Sequence, residues 1–280
     1  MMQVNTIDLG DGLRAFEFLL NPQDQKRSEP KQDPVKTNLS ELERLAKLYY
    51  NEKLVTIDDI RYPFVYVADS ELDRITLNKI DEPYRVPEKF RIFVEEAIKG
   101  KKFYETPHMS VADWSFSNDD DQKPSMNISV KPVGYGEFLG TNRSIDVPLS
   151  RYDPSFKEGE TLRSYEIRDG KALRPAESKL SNMLGLGFVI TAVGQDGKAY
   201  FLFGRRGNNL AVEGGTISIF GGTPEWKDIH IKDNILQEMG EELLITPDEF
   251  RMHRCYLAHD FTRAPDIFTH INITGPRALS

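Results

Sequence analysis

The placement of glycine constrains this chain most. Fifteen of the 20 glycines fall between Gly134 and Gly222. Glycine takes positive φ freely and weakens helix and strand interiors, so this stretch should break into short strands and turns. The N-terminal half reads differently. Asn21 to Thr37 is polar, charged and Pro-punctuated, a loop or linker. Ser40 to about Tyr50 opens on a capping-box pattern and carries apolar residues at helical spacing, which predicts a helix. Ile60 to Ala68 is β-branched and aromatic, but Pro63 demotes it to an edge strand. A second helix is expected over Pro87 to Lys99, stopped by Gly100, and a strand over Asn127 to Pro132.

From Leu184 the pattern changes. Strands are expected at Leu186 to Ala192, Ala199 to Phe203 and Thr216 to Phe220, the last stopped by Gly221 and Gly222. A strong helix follows over His230 to Leu244, then strands at Arg251 to Ala258 and Ile267 to Thr274. The expected division is an N-terminal domain over residues 1–175 and a second domain over residues 176–280.

Composition narrows the function classes. Apolar residues make up 39% and charged residues 29%, enough apolar content for a folded core. Lys and Arg total 36 against 44 Asp and Glu, a net charge of -8 that argues against a nucleic-acid partner. The single cysteine, Cys255, excludes an internal disulfide framework and a cysteine zinc site. The most apolar segment, Met183 to Gly194, is too short to span a bilayer, and the first residues lack a secretory pattern. The expectation is a soluble cytoplasmic protein with no membrane partner.

The sharpest feature lies in the last helix. At about 100° per residue, Glu238, Glu241 and Glu242 share one arc, while Ile235, Met239 and Leu243 take the neighbouring arc and face the core. Carboxylates at i, i+3 and i+4 repel one another. A hard cation with oxygen ligands, Mg²⁺ above all, would relieve that repulsion. The plain alternative is a solvated acidic face.

The surroundings favour a site. A strand, Gly221-Gly222 and a loop bearing Glu225 and Asp228 precede the helix. This arrangement resembles the signature of Nudix hydrolases, with Gln237 at the usual arginine, Glu238 at the first glutamate, and Glu241 and Glu242 at the glutamate pair. Leu244 stands where glycine is usual, and Gly222 lies 15 residues before Gln237, one more than the standard spacing. Upstream, Tyr135-Gly136-Glu137-Phe138-Leu139-Gly140-Thr141-Asn142 resembles a segment of the uridine diphosphate glucose pyrophosphatase branch, which also carries a Gly-Gly-x-Pro-Glu loop like Gly221 to Glu225. The resemblance covers roughly Lys89 to Thr274. It leaves the first 85 or so residues without a counterpart.

The resemblance implies an α/β protein: a Nudix α/β/α sandwich with a mixed sheet, preceded by an α+β N-terminal domain. It implies hydrolysis of the diphosphate bond of a nucleoside diphosphate-linked small molecule, for example UDP-glucose to UMP and glucose 1-phosphate. Mg²⁺, with Mn²⁺ as a substitute, would be held by Glu238, Glu241 and Glu242, with Asp266 a further candidate. The metal would lower the pKa of a bound water, and one of the carboxylates would take the proton. Arg205 or Arg206 could clamp the diphosphate, beside Gly221 and Gly222. Thr141 or Asn142 could touch the nucleotide or sugar. Gln237 can donate a hydrogen bond but brings no charge. Two other functions suit the same residues: a nucleotide-binding regulatory module with little activity, and a hydrolase of ADP-ribose or another nucleotide sugar. The oligomeric state is open, a homodimer included.

Other residues read more plainly. His259 beside Asp260 suits a structural role better than catalysis, the aromatics around Phe103 and Trp114 suit packing, and Asp119 to Asp121 suit a solvated loop. Only about 100 residues follow Lys179, and no second helix is evident after Thr274. Either the chain is a shortened form, or the N-terminal region or another chain completes the layers.

Overall fold

A computed structural model of the chain describes residues 4–10, 13–19, 39–57, 60–101, 103, 106–118, 122–194, 199–205, 217–227, 230–260 and 262–273. Their fold is mixed α/β, built on one large sheet, two small ones and a few helices. The first strands, β1 (Val4–Gly10) and β2 (Leu13–Leu19), form an antiparallel pair. Helix α1 (Leu39–Leu48) follows, then β3 (Leu54–Ile57) and β4 (Ile60–Ser70). Next come β5 (Ile75–Lys79), α2 (Arg91–Ile98), β6 (His108–Asn118) and β7 (Pro124–Val133). Helix α3 (Tyr135–Gly140) leads into a run of turns holding the short pair β8 (Ile167–Arg168) and β9 (Lys171–Ala172). The rest is β10 (Gly185–Val193), β11 (Ala199–Arg205), β12 (Ile217–Ser218), α4 (Ile231–Leu243), β13 (Phe250–His259) and β14 (Pro265–Ile273).

The large sheet runs β1-β2-β11-β10-β14-β13-β4-β3, with β12 beside β11. It is mixed: β10 runs parallel to β14, and β11 parallel to β2, while the other pairs are antiparallel. Strands from both sides of residue 175 therefore share it. The second sheet, β5-β7-β6, belongs to the first half alone.

Alternation along β10 sends Leu186, Phe188, Ile190 and Ala192 to one face. On α4, Ile231, Ile235, Met239 and Leu243 recur every fourth residue and meet them in one core. Met109, Met126 and Ile128 from the three-stranded sheet fill the same core. Every one of these positions is less than a tenth exposed, so the core spans both halves of the chain. A second cluster, around Phe90, Phe93, Leu149 and Leu162, holds the turns between α3 and β10 against α2.

One strand expectation needs correction. The segment starting at Ile60 is not an edge strand, because β4 lies between β3 and β13. Proline is tolerated there because the register shifts: Leu54 pairs with Val65 and Val55 with Tyr62, which leaves Pro63 in a bulge. Pairing with β13 stops at Val65, so no ladder bond is asked of the proline nitrogen. Of the strand expected over Thr216 to Phe220, Ile217–Ser218 pairs with β11 and Phe220 makes a single bridge to Phe188, while Thr216 lies outside the described residues. Among the described residues, no helix is long and apolar enough to cross a membrane.

Candidate functional site

Strand β10 and the Gly221-Gly222 turn, both bearing glycines, form the floor of a cleft. Leu186 N donates to Gly222 O (2.8 Å) and Gly222 N to Leu186 O (3.1 Å), which fastens the Gly221-Gly222 turn onto β10. Gly221 sits at φ +150, and a Cβ there would run into the carbonyl of Leu186. The following loop is stitched to the second sheet: Met109 N donates to Pro224 O (3.2 Å), Trp226 N to Pro107 O (2.8 Å), and His108 bridges Glu225. His108 Nδ1 lies 3.2 Å from Thr223 Oγ1, and burial lowers its pKa.

Two acidic side chains rest on bare glycine backbone here, one on each face. A Cβ on Gly222 would overlap the carboxylate of Glu238, so that carboxylate lies against bare backbone. Gly185 pairs with Asp266 across β10 and β14, and a Cβ there would overlap the Asp266 carboxylate in the same way. Strand alternation separates the two approaches. Leu186 and its partner Gly222 face α4, whereas Gly185 and Asp266 face the other side. The cleft opens on that other side, with a volume of about 320 Å³. Its walls include Tyr135, Phe138, Arg143, Asp266 and Phe268, with Gly185, Gly187, Gly221 and Gly222 beneath.

The electrostatics of the cleft centre on Asp266. Burial pushes its carboxyl up to about 7, the neighbouring Asp260 charge adds to the rise, and Arg143 opposes it. Asp260 is raised mainly by burial too, although Thr262 N (2.8 Å) and Thr262 Oγ1 (2.6 Å) both donate to it. The Arg143 guanidinium lies over the Phe138 ring at 5.8 Å. A cation, one acid and three aromatic rings thus share the cleft wall, with the Asp260 charge behind them.

The other expected residues take varied positions. Glu241 is exposed and accepts a hydrogen bond from Gln237 Nε2 (2.9 Å), so Gln237 is directed along the helix surface. Glu242 belongs to α4, but its side chain lies outside the described residues, as do the Arg205 side chain, Arg206, Asp228 and Asp119 to Asp121. Among the described residues, no three acidic, histidine or cysteine side chains gather as a metal cluster. Gly221 and Gly222 do line the cleft.

Thr141 and Asn142 point inward and are almost fully buried. Asn142 Nδ2 donates to Thr262 O (3.0 Å), while its Oδ1 accepts from Ser181 Oγ (2.8 Å) and Asn182 N (3.1 Å). Thr141 Oγ1 donates to Glu137 O (2.6 Å) and accepts from Ser181 N (3.1 Å). These bonds tie three chain segments together, and the residue that reaches the cleft is the next one, Arg143. The sequence singles out Tyr135 only as part of the resembling segment, with no role of its own, and does not single out Arg143. The available signal is an aromatic that opens the marked segment and a cation that directly follows it.

His259 is buried, and its pKa falls to about 3 through burial and then the Arg263 charge. Arg263 Nη1 lies 3.2 Å from His259 Nε2. Arginine can only donate, so Nε2 accepts, and Nδ1 carries the proton toward Asp260 O at 3.3 Å. The role is structural. Cys255 is fully buried, with its thiol pushed up to about 11 by burial, and packs as a small apolar group.

No protein-family model matches the chain, and no curated protein matches it.

Proposed function

We propose that the chain is a Nudix-type hydrolase of α/β/α architecture that splits the diphosphate of a nucleoside diphosphate-linked substrate, a nucleotide sugar such as UDP-glucose first among them. The observation that carries this reading is the Gly221-Gly222 turn, which joins the acidic face of α4 to a cleft walled by Arg143 and Asp266. The bare backbone of Gly222 makes a cradle for the Glu238 carboxylate that any larger residue would fill. Glu238, Glu241 and Glu242 offer hard oxygen donors at i, i+3 and i+4, a set that suits Mg²⁺ or Mn²⁺. Such a cation supplies a Lewis acid that offsets charge building on the bridging oxygens.

The chain's own groups do the rest. Arg143 binds the diphosphate charge on the cleft wall. Tyr135, Phe138 and Phe268 exclude water and give a base or sugar a flat surface. One of the α4 glutamates, or Asp266 from the cleft side, takes the proton of the attacking water.

The test is hydrolysis of a panel of nucleoside diphosphate compounds with Mg²⁺, comparing wild type with Glu242→Gln and Asp266→Asn. The expected result is turnover of at least one nucleotide sugar, reduced about 100-fold or more by each change. Binding of nucleotides without any turnover would instead support a regulatory module. The pairing of Gln237 with Glu241 favours that second reading. Turnover unaffected by Glu242→Gln would remove α4 from the mechanism.

A further inference from the structure

Tyr135 faces two cavities. On the side away from the cleft lies a larger one of about 660 Å³, between α2, the start of α3 and the segment before α2. Three aromatic side chains, Tyr84, Phe103 and Tyr135, line it, with Val94 and Ile98 from α2. The rings are held in place. Phe103 lies on the bare Cα of Gly136, where a Cβ would collide with it. Tyr84 Oη donates to Lys179 O at 2.7 Å. Tyr135 packs on Phe103 (6.4 Å between centroids) and on His108 (5.9 Å).

The charges around this cavity are unequal. Glu88, Glu95 and Glu137 stand against Arg85 and Arg91. Arg91 is spent on the rim, 2.7 Å from Glu88 and 3.9 Å from Glu95, and Arg85 is exposed. Glu137 is different. It is half-buried, and among the described residues no hydrogen bond or ion pair reaches its carboxylate. Its charge falls on Tyr84, where it helps burial raise the phenol pKa.

We infer that this cavity is a second ligand site, which takes an organic ammonium ion bearing apolar substituents, such as a quaternary ammonium group. Aromatic faces attract a cation through their quadrupoles and accept its alkyl groups by burial. A neutral apolar ligand would desolvate Glu137 without compensating its charge, and an anion would meet the same carboxylate in repulsion.

The experiment is calorimetric titration of the full chain with choline and with its neutral analogue 3,3-dimethylbutan-1-ol. Choline should bind about tenfold more tightly than the alcohol. Glu137→Gln should abolish that preference, Glu137→Asp should keep part of it, and Phe103→Leu should weaken choline while leaving the alcohol little changed. Thermal unfolding of each variant checks that the fold is retained. Equal binding of the two probes, no saturable choline binding, or a preference that survives Glu137→Gln would each overturn the assignment.

Discussion

Two positions at the C-terminal end of α4 carry a residue type that their backbone does not favour. Leu244 caps the helix at φ 56 and ψ 32, the left-handed region, and is 68% exposed. Glycine takes that conformation without a Cβ penalty. Leu244→Gly should stabilise the protein by about 0.5–1 kcal/mol, the strain relieved less the added freedom of the unfolded chain. Gly240 lies inside the same helix, and a Cβ there would meet nothing within 4 Å. Gly240→Ala should add about 1 kcal/mol, read as a rise of about 2 °C in the melting temperature. The glycines of the cleft floor should behave oppositely. Gly221→Ala drives a Cβ into the Leu186 carbonyl and should cost about 3 kcal/mol. Gly222→Ala displaces only the end of the Glu238 side chain, so it should cost about 1 kcal/mol or less while sharply lowering any Mg²⁺-dependent hydrolysis. Urea unfolding and an activity assay on the same four variants would separate these effects.

At the level of elements, periodicity was a good guide wherever a segment's own pattern decides its structure. Helices α1, α2 and α4 and strands β7, β10, β13 and β14 all lie where apolar spacing puts them. The failures share a cause: the deciding partner is remote in sequence. Nothing local to Pro63 announces that β13, almost 190 residues later, will cover the flank of its strand. Likewise, the motif around Thr141 and Asn142 marks an important segment, but its burial follows from Ser181, Asn182 and Thr262. The importance was legible in the residues, and the direction of the side chains was not. Because Asn142 satisfies donors and acceptors from two other segments, Asn142→Ala should cost about 3 kcal/mol in denaturant unfolding. A loss under about 1 kcal/mol would mean that the junction re-forms without it.

For the whole molecule, two buried groups pull stability in opposite directions with pH. His259 has its folded pKa lowered to about 3, so its contribution is full above the unfolded value and is lost as pH falls toward 3. Asp266 has its folded pKa raised to about 7, so its contribution is full below the unfolded value near 4 and is lost as pH rises through 7. Across roughly pH 4 to 6.5 the two slopes, each at most about 1.4 kcal/mol per pH unit, offset one another. Wild type should therefore show little pH dependence from this pair. Asp266→Asn should make stability climb with pH in that window, and His259→Gln should make it fall. Unfolding curves at pH 4.5, 5.5 and 6.5 would show it, and parallel profiles for the three proteins would refute the assignment.

The large sheet also sets a timetable for synthesis. Strand β2 pairs with residues 201–205 and β4 with residues 255–259, so early strands leave the ribosome long before their partners exist. At roughly 5–20 residues per second, β4 waits about 10–40 s with one flank open. An unpaired flank invites association with other chains. The nascent protein should therefore be protease-sensitive over residues 60–70 until synthesis passes residue 259, a transition that limited proteolysis of stalled chains of increasing length would locate.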